Sequence, residues 1–301
     1  MPDNPASKIV INCPAKLNLT LAVGPASNDG MHPIASIMAP LSFADTLKLS
    51  RSEAGSTFLR AFDPHAPRIQ PIDWAIEQDL VFQAHRLVER ELGRRLPVRA
   101  ELTKRIPAGA GLGGGSSNAA GMLIGLRELF GFKLEDNRLV DLGARLGADV
   151  AFSIHAALGC SAALVTGIGE LVEPTCELPF FHCVLVFPDG DCPTGQVYQH
   201  YDRLGKAEPI LDSIRSAWRQ VRLIPPARND LTEAAIEVCP QIGGVFNAIK
   251  SQHFEPRLTG SGSCVFAITA SQHEGVAIAE TFKQMGLTAV PTHRFSGSSL
   301  A

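Results

Sequence analysis

Residues 97–104 alternate apolar and polar positions, the period of a strand with one buried face. From Ser117 the period changes: Ala120, Leu123, Ile124, Arg127 and Leu129 keep mostly to helical spacing, with Ser116, Ser117 or Asn118 available to cap the first turn. Further strand-like runs cover 8–23, where Pro14 breaks the pattern in two, and 45–49, 57–62 and 183–187. Helical spacing covers 80–92 and 134–146, the second with Leu139, Leu142 and Leu146 on one side. Other helices are expected within 213–222 and from Asn229 onward. Pro64, Pro67 and Pro71 mark an irregular connection, and Pro174 and Pro179 interrupt the pattern near an expected domain boundary between 160 and 180.

Between the alternating strand and its following helix lies Ile106-Pro107-Ala108-Gly109-Ala110-Gly111-Leu112-Gly113-Gly114-Gly115-Ser116-Ser117-Asn118, with five glycines in the seven positions 109–115. Such a backbone adopts positive φ and approaches a ligand closely. A strand, a glycine loop and a helix N-terminus together make an anion site, because the first-turn N–H groups and the positive end of the helix dipole face the ligand. No Lys followed by Ser or Thr comes after Gly115, so this is not a P-loop. Gly109, Gly111 and Gly114 match G-x-G-x-x-G. However, no acidic residue ends a second strand about 20 residues later, which the dinucleotide fold requires. A flexible linker would lack the patterned flanks.

At 301 residues the chain is long enough for two domains. Its 45% hydrophobic and 19% charged residues are those of an ordinary globular protein. A net charge of -3 gives no general attraction to nucleic acid or to an anionic membrane. The seven cysteines are scattered without a C-x-x-C pair and read as free thiols in a reducing compartment. With no signal-peptide pattern and no membrane span, the expected location is the cytoplasm. The nine histidines form no H-E-x-x-H or close cluster, so zinc is not expected. Partners are sought among small molecules, and a monomer or homodimer is expected.

The stretch from Pro107 to Ala120 resembles the ATP-binding motif of the GHMP kinases (galacto-, homoserine, mevalonate and phosphomevalonate kinases). The form is most similar to the branch acting on 4-diphosphocytidyl-2-C-methyl-D-erythritol. The resemblance extends to Pro14-Ala15-Lys16-Leu17-Asn18-Leu19, Leu146-Gly147-Ala148-Asp149-Val150, the Asn229-Asp230-Leu231 segment and the turn 258–264. It implies an α+β fold: an N-terminal domain (1–170) like the second domain of ribosomal protein S5, and a ferredoxin-like C-terminal domain (171–301). It also implies a Mg²⁺- and ATP-dependent kinase acting on a small alcohol, with Lys16 and Asp149 catalytic. Pro107, Ala108, Gly109, Ala110, Gly111, Leu112, Gly113, Gly114, Gly115, Ser116 and Ser117 would hold ATP, with Ser117 also on magnesium. Asn18, Met31, His32, Tyr198, Gly260 and Gly262 would meet the acceptor.

On their own residue types, Lys16 reads as an edge-strand lysine and Asp149 as an acceptor for local backbone N–H groups. Asp79 reads equally as a helix cap or an adenine acceptor, and Tyr198 as a core aromatic or a ligand contact. Met31 stands where the family has Tyr, and Asn28 where a basic residue is often found; a Met offers no π-face and no hydroxyl. Two alternatives therefore stand beside the main reading: a GHMP kinase for another small alcohol, and a non-catalytic ATP-binding paralogue.

Overall fold

The structure, a computed structural model, describes residues 7–175, 178–205, 218 and 223–297. Its longest strands form a hairpin. β1 (Lys8–Val23) lies antiparallel to β2 (Ile34–Arg51) and runs through Pro14 without a break, contrary to the two strands expected. The pairing register shifts between Pro14 and Lys16. On its other side, among the described residues, β1 pairs only at Thr20 and Leu21, with β8 (Arg228–Asn229). The missing N–H of Pro14 thus falls at an irregular, edge-like point where it interrupts no second ladder.

β3 (Thr57–Phe62) and β4 (Val98–Lys104) complete the sheet order β3-β4-β2-β1-β8. β5 (Ala162–Thr166) adds to β2, and β6 (Leu171–Thr175) adds to β5. This first sheet therefore runs past the expected 170/171 division and takes in two short strands, β6 and β8, from beyond it.

α1 (Leu80–Leu92), α2 (Gly114–Phe130), α3 (Asp136–Ala144) and α4 (Ala148–Ala157) pack with this sheet. α2 lies close on the hairpin because Gly121 and Gly125 face it; a Cβ at Gly125 would sit 2.4 Å from Ile11 Cδ1 and 2.6 Å from Leu49 Cδ1. α4 was not expected from the pattern. Seven of its ten residues are buried, so it lacks the polar face that gives a helix its period.

The second sheet has β7 (His182–Phe187), β9 (Arg257–Leu258), β10 (Val265–Thr269) and β11 (Thr288–His293) in the antiparallel order β11-β7-β10-β9. A helical connection, α5 (Thr194–Leu204), α6 (Thr232–Val238) and α7 (Gln241–Ser251), joins β7 to β9, and α8 (Gln272–Gln284) joins β10 to β11. The last strand lies beside the first and the third lies between first and second, which is the ferredoxin-like arrangement. One core cluster crosses from sheet to sheet, packing Leu21, Met38 and Val165 with Val184, Val186 and Val265. The helix expected within 213–222 lies outside the described residues apart from Trp218, as does Cys176. Cys13, Cys183, Cys192, Cys239 and Cys264 are free and buried, and no helix among the described residues is long and apolar enough to cross a membrane.

Candidate active site

The glycine loop leaves β4 and enters α2 at Gly113, whose φ of 68° only glycine adopts without strain. Protein donors hold its carbonyls. Lys16 N donates to Leu112 O (2.9 Å), Cys264 N to Ala110 O (3.2 Å), Ser263 N to Gly109 O (3.3 Å) and Thr259 Oγ1 to Gly111 O (3.3 Å). A Cβ at Gly111 would lie 2.2 Å from Thr259 O, so the loop and the 258–264 turn lie backbone to backbone.

The loop walls a cavity of about 440 Å³ lined by residues 107–116 together with Arg60, Ile72, Trp74, Leu80 and Leu102. Lys104 and Asn118, also on its wall, form a polar network with the buried Asp45. Lys104 Nζ donates to Asp45 Oδ2 and to Asn118 Oδ1 (3.0 Å), and Asn118 Nδ2 donates to Asp45 Oδ2 (2.9 Å). Asp45 Oδ1 takes the N–H groups of Arg105 (2.6 Å) and Ile106 (2.8 Å), which pins the start of the loop. Sequence reasoning missed this network, although Lys104 falls on the buried face of the 98–104 alternation, where a charge demands a partner.

Of the residues expected at ATP, 107–116 all line this cavity. Ser117, expected also on magnesium, is 2% exposed and absent from the wall, because it falls on the inward side of the first turn of α2; Ser116 holds the lining position. Asp79 lines the cavity, and its carboxylate acts as the helix cap. Oδ1 accepts from Val81 N (2.9 Å), and Oδ2 accepts from Arg60 Nη1 and Trp74 Nε1 (3.1 Å each). Arg60 and Trp74 went unnoticed in the sequence, since a lone Arg on a strand and a Trp in a Pro-rich connection carry no pattern.

A second cavity of about 330 Å³ shares Gly111, Gly113 and Ser116 with the first and is lined also by Lys16, Asn18, Asp149, Tyr198, Gly260 and Ser261. Lys16 is 5% exposed, not a solvated edge lysine. Its Nζ lies 3.5 Å from Asp149 Oδ2 and donates to Asn18 Oδ1 at 2.7 Å. Asp149 sits in the first turn of α4, where the helix dipole complements a carboxylate. Burial pushes the Tyr198 phenol up to about 12, with the Asp149 charge adding to the effect, so the hydroxyl is a standing donor. Thr194 and Ser261, both unanticipated, share a hydrogen bond of 2.9 Å on the same wall.

Three residues expected at the acceptor are not on this wall. His32 packs tilted against Tyr198, with ring centroids 5.0 Å apart and planes 38° apart, and its Nδ1 donates to Gly24 O (2.9 Å). Its Nε2 lies 3.3 Å from Asp202 Oδ1. Met31 is 46% exposed on the loop between β1 and β2. Gly262 faces inward, toward Ile242, Cys192 and Leu258. Ile168, on the turn between β5 and β6, also lines the wall.

Residues 79–157 match the family model for the N-terminal domain of GHMP kinases. A 4-diphosphocytidyl-2-C-methyl-D-erythritol kinase of Caulobacter vibrioides is 37% identical over 281 residues, covering 90% of this chain and 93% of its own. The crystal structure of a 4-(cytidine 5'-diphospho)-2C-methyl-D-erythritol kinase superposes with a TM-score of 0.75 at 29% identity, over 96% of this chain and 100% of that one. The mevalonate kinase of Methanococcus jannaschii shares the fold, with a TM-score of 0.65 at 11% identity over 98% of this chain and 100% of its own.

Proposed function

The chain belongs to the 4-diphosphocytidyl-2-C-methyl-D-erythritol kinases of the GHMP family, and we propose that it transfers the γ-phosphoryl group of ATP to the 2-hydroxyl of that substrate, in non-mevalonate isoprenoid biosynthesis. The observation that carries the reading is the Lys16–Asp149 pair, 3.5 Å apart, on the wall of a cavity that shares Gly111, Gly113 and Ser116 with the glycine-loop cavity.

The residues present fit ATP. The apolar slot of Ile72, Trp74, Leu80 and Leu102 suits a base, and the first-turn N–H groups of α2 suit its phosphates. They also fit Mg²⁺. Among the described residues no three His, Cys, Asp or Glu cluster to form a metal cage. Magnesium needs none, since it keeps waters and binds through one or two protein oxygens and the substrate phosphates. Ser116, which lines both cavities, would supply a hydroxyl oxygen to the ion, which would neutralise phosphate charge there.

In the transfer itself, Asp149 accepts the proton of the acceptor hydroxyl, and the Lys16 ammonium steadies the negative charge on the transferring group. Tyr198 and Ile168 flank the remainder of the acceptor, with His32 bracing Tyr198 from behind. We read 1–175 as the nucleotide-holding unit and 178–297 as the unit that closes the cleft. Free buried thiols such as Cys13 and Cys183, pushed up by burial, suit a reducing compartment, and we place the protein in the cytoplasm.

Phosphorus NMR of the protein with Mg-ATP and separate acceptors tests the assignment. A new phosphomonoester signal is expected with 4-diphosphocytidyl-2-C-methyl-D-erythritol and not with mevalonate, homoserine or galactose. Transfer only to one of the latter would keep the kinase and discard the substrate, and ATP binding without any transfer would favour the non-catalytic alternative.

A further inference from the structure

Lys16 is held by an amide whose orientation is fixed from behind. Asn18, two positions along β1, points to the same face of the strand. It is 3% exposed, and next to it on β2 lies Ser36, 0% exposed. Ser36 has one hydroxyl proton, and it goes to Thr20 O at 2.7 Å, a carbonyl that can only accept. Ser36 Oγ is therefore left as an acceptor, and it takes Asn18 Nδ2 at 2.8 Å.

With Nδ2 committed to Ser36, Asn18 Oδ1 faces the cavity, where it accepts from Lys16 Nζ (2.7 Å) and Gly260 N (2.9 Å). Both of those are donors only, so the chain of protons has the same sense from either end. A reversed amide would set NH₂ against an ammonium and a backbone N–H, and would leave Ser36 without its donor.

We infer that Ser36 is a positioning residue for phosphoryl transfer: through Asn18 it fixes where the Lys16 ammonium stands opposite Asp149. The inference rests on the kinase reading of the cleft. Ser36 lines neither cavity, and its link to Lys16 runs through the Asn18 amide.

Ser36→Ala, Ser36→Thr and Asn18→Ala, singly and combined, test it. Ser36→Ala is expected to lower kcat about 10- to 100-fold, the range for small misplacements at a reacting centre. KM for ATP should stay within about twofold, since the nucleotide wall is untouched. Ser36→Thr, which keeps the hydroxyl and suits a strand, should restore most of the rate. In the Asn18→Ala background, Ser36→Ala should cost nothing further. An unchanged kcat in Ser36→Ala, or a loss of the same size with and without Asn18, overturns the inference.

Hydrogen exchange of the Asn18 side-chain amide gives a readout independent of turnover. Exchange should be slow in the parent and in Ser36→Thr and fast in Ser36→Ala; equal rates in all three overturn the proposal. If the parent protein transferred no phosphoryl group, the kinase reading would fail while this exchange still decided the geometry.

Discussion

The missing side chain of Gly113 is what lets Lys16 and Asp149 meet above the start of α2. A Cβ there would lie 2.9 Å from Lys16 Cγ and 3.7 Å from Asp149 Oδ2. Elsewhere a single buried histidine sets a pH response. His85 is 1% exposed, and its Nε2 donates to Leu96 O at 2.8 Å. Burial holds its imidazole below the usual 6.5. The unfolded chain therefore binds a proton at a higher pH than the folded one, and stability rises with pH across that interval. The contribution is complete above about pH 6.5 and is lost as pH falls through the folded value. Urea unfolding at pH 7 and pH 5 should show the decline, and His85→Gln should reduce it. A residual slope is expected because burial lowers His155 and His293 too. An unaltered slope in the variant would remove His85 from the effect. At this level the motifs singled out Lys16 and Asp149, which the fold brings within 3.5 Å of each other, but not Asp45, Ser36 or Thr259. Their partners are remote: Asn18 and Thr259 are 241 positions apart, and no periodicity records such a pairing.

α2 shows how one helix serves two purposes. Its first turn presents the loop's N–H groups, while Gly121 and Gly125 let its body lie against β1 and β2. Gly125→Leu is expected to overpack Ile11 and Leu49 and to lower the urea unfolding free energy by about 1–3 kcal/mol. The loss would be partly offset by about 1 kcal/mol of helix propensity. Nucleotide binding at the other end of the helix should persist, as followed by equilibrium titration, and unchanged unfolding would show that the hairpin yields freely. The alternation of β4 and the amphipathic spacing of α1 were readable because each has one wet face. α4 was not, being buried nearly all round, and β1 was divided at Pro14 because the sequence does not reveal that the strand's far side lacks a continuous partner there.

The two sheets meet at the glycine loop. Hydrogen bonds from Thr259, Ser263 and Cys264 clasp residues 109–111, Asn229 Nδ2 holds Gly260 O at 2.8 Å, and one apolar cluster runs beneath both. The cleft is therefore built by both halves, and Gly113 lies on the wall of both the cavity we assign to the nucleotide and the cavity we assign to the acceptor. Motif order in the sequence implied this plan through resemblance, whereas the strand order β11-β7-β10-β9 depends on pairings that only the folded chain displays. Asp149 lines the second cavity and not the glycine-loop cavity, so in the proposed reading its chemistry separates from nucleotide binding. The most direct measurement is the turnover of Asp149→Asn with Mg-ATP and the cytidyl alcohol, beside its affinity for Mg-ATP. The expected result is a kcat lower by about 10³-fold, the scale of a lost general base, with nucleotide affinity retained. Near-parental turnover would contradict the account by removing Asp149 from the proton transfer on which it rests.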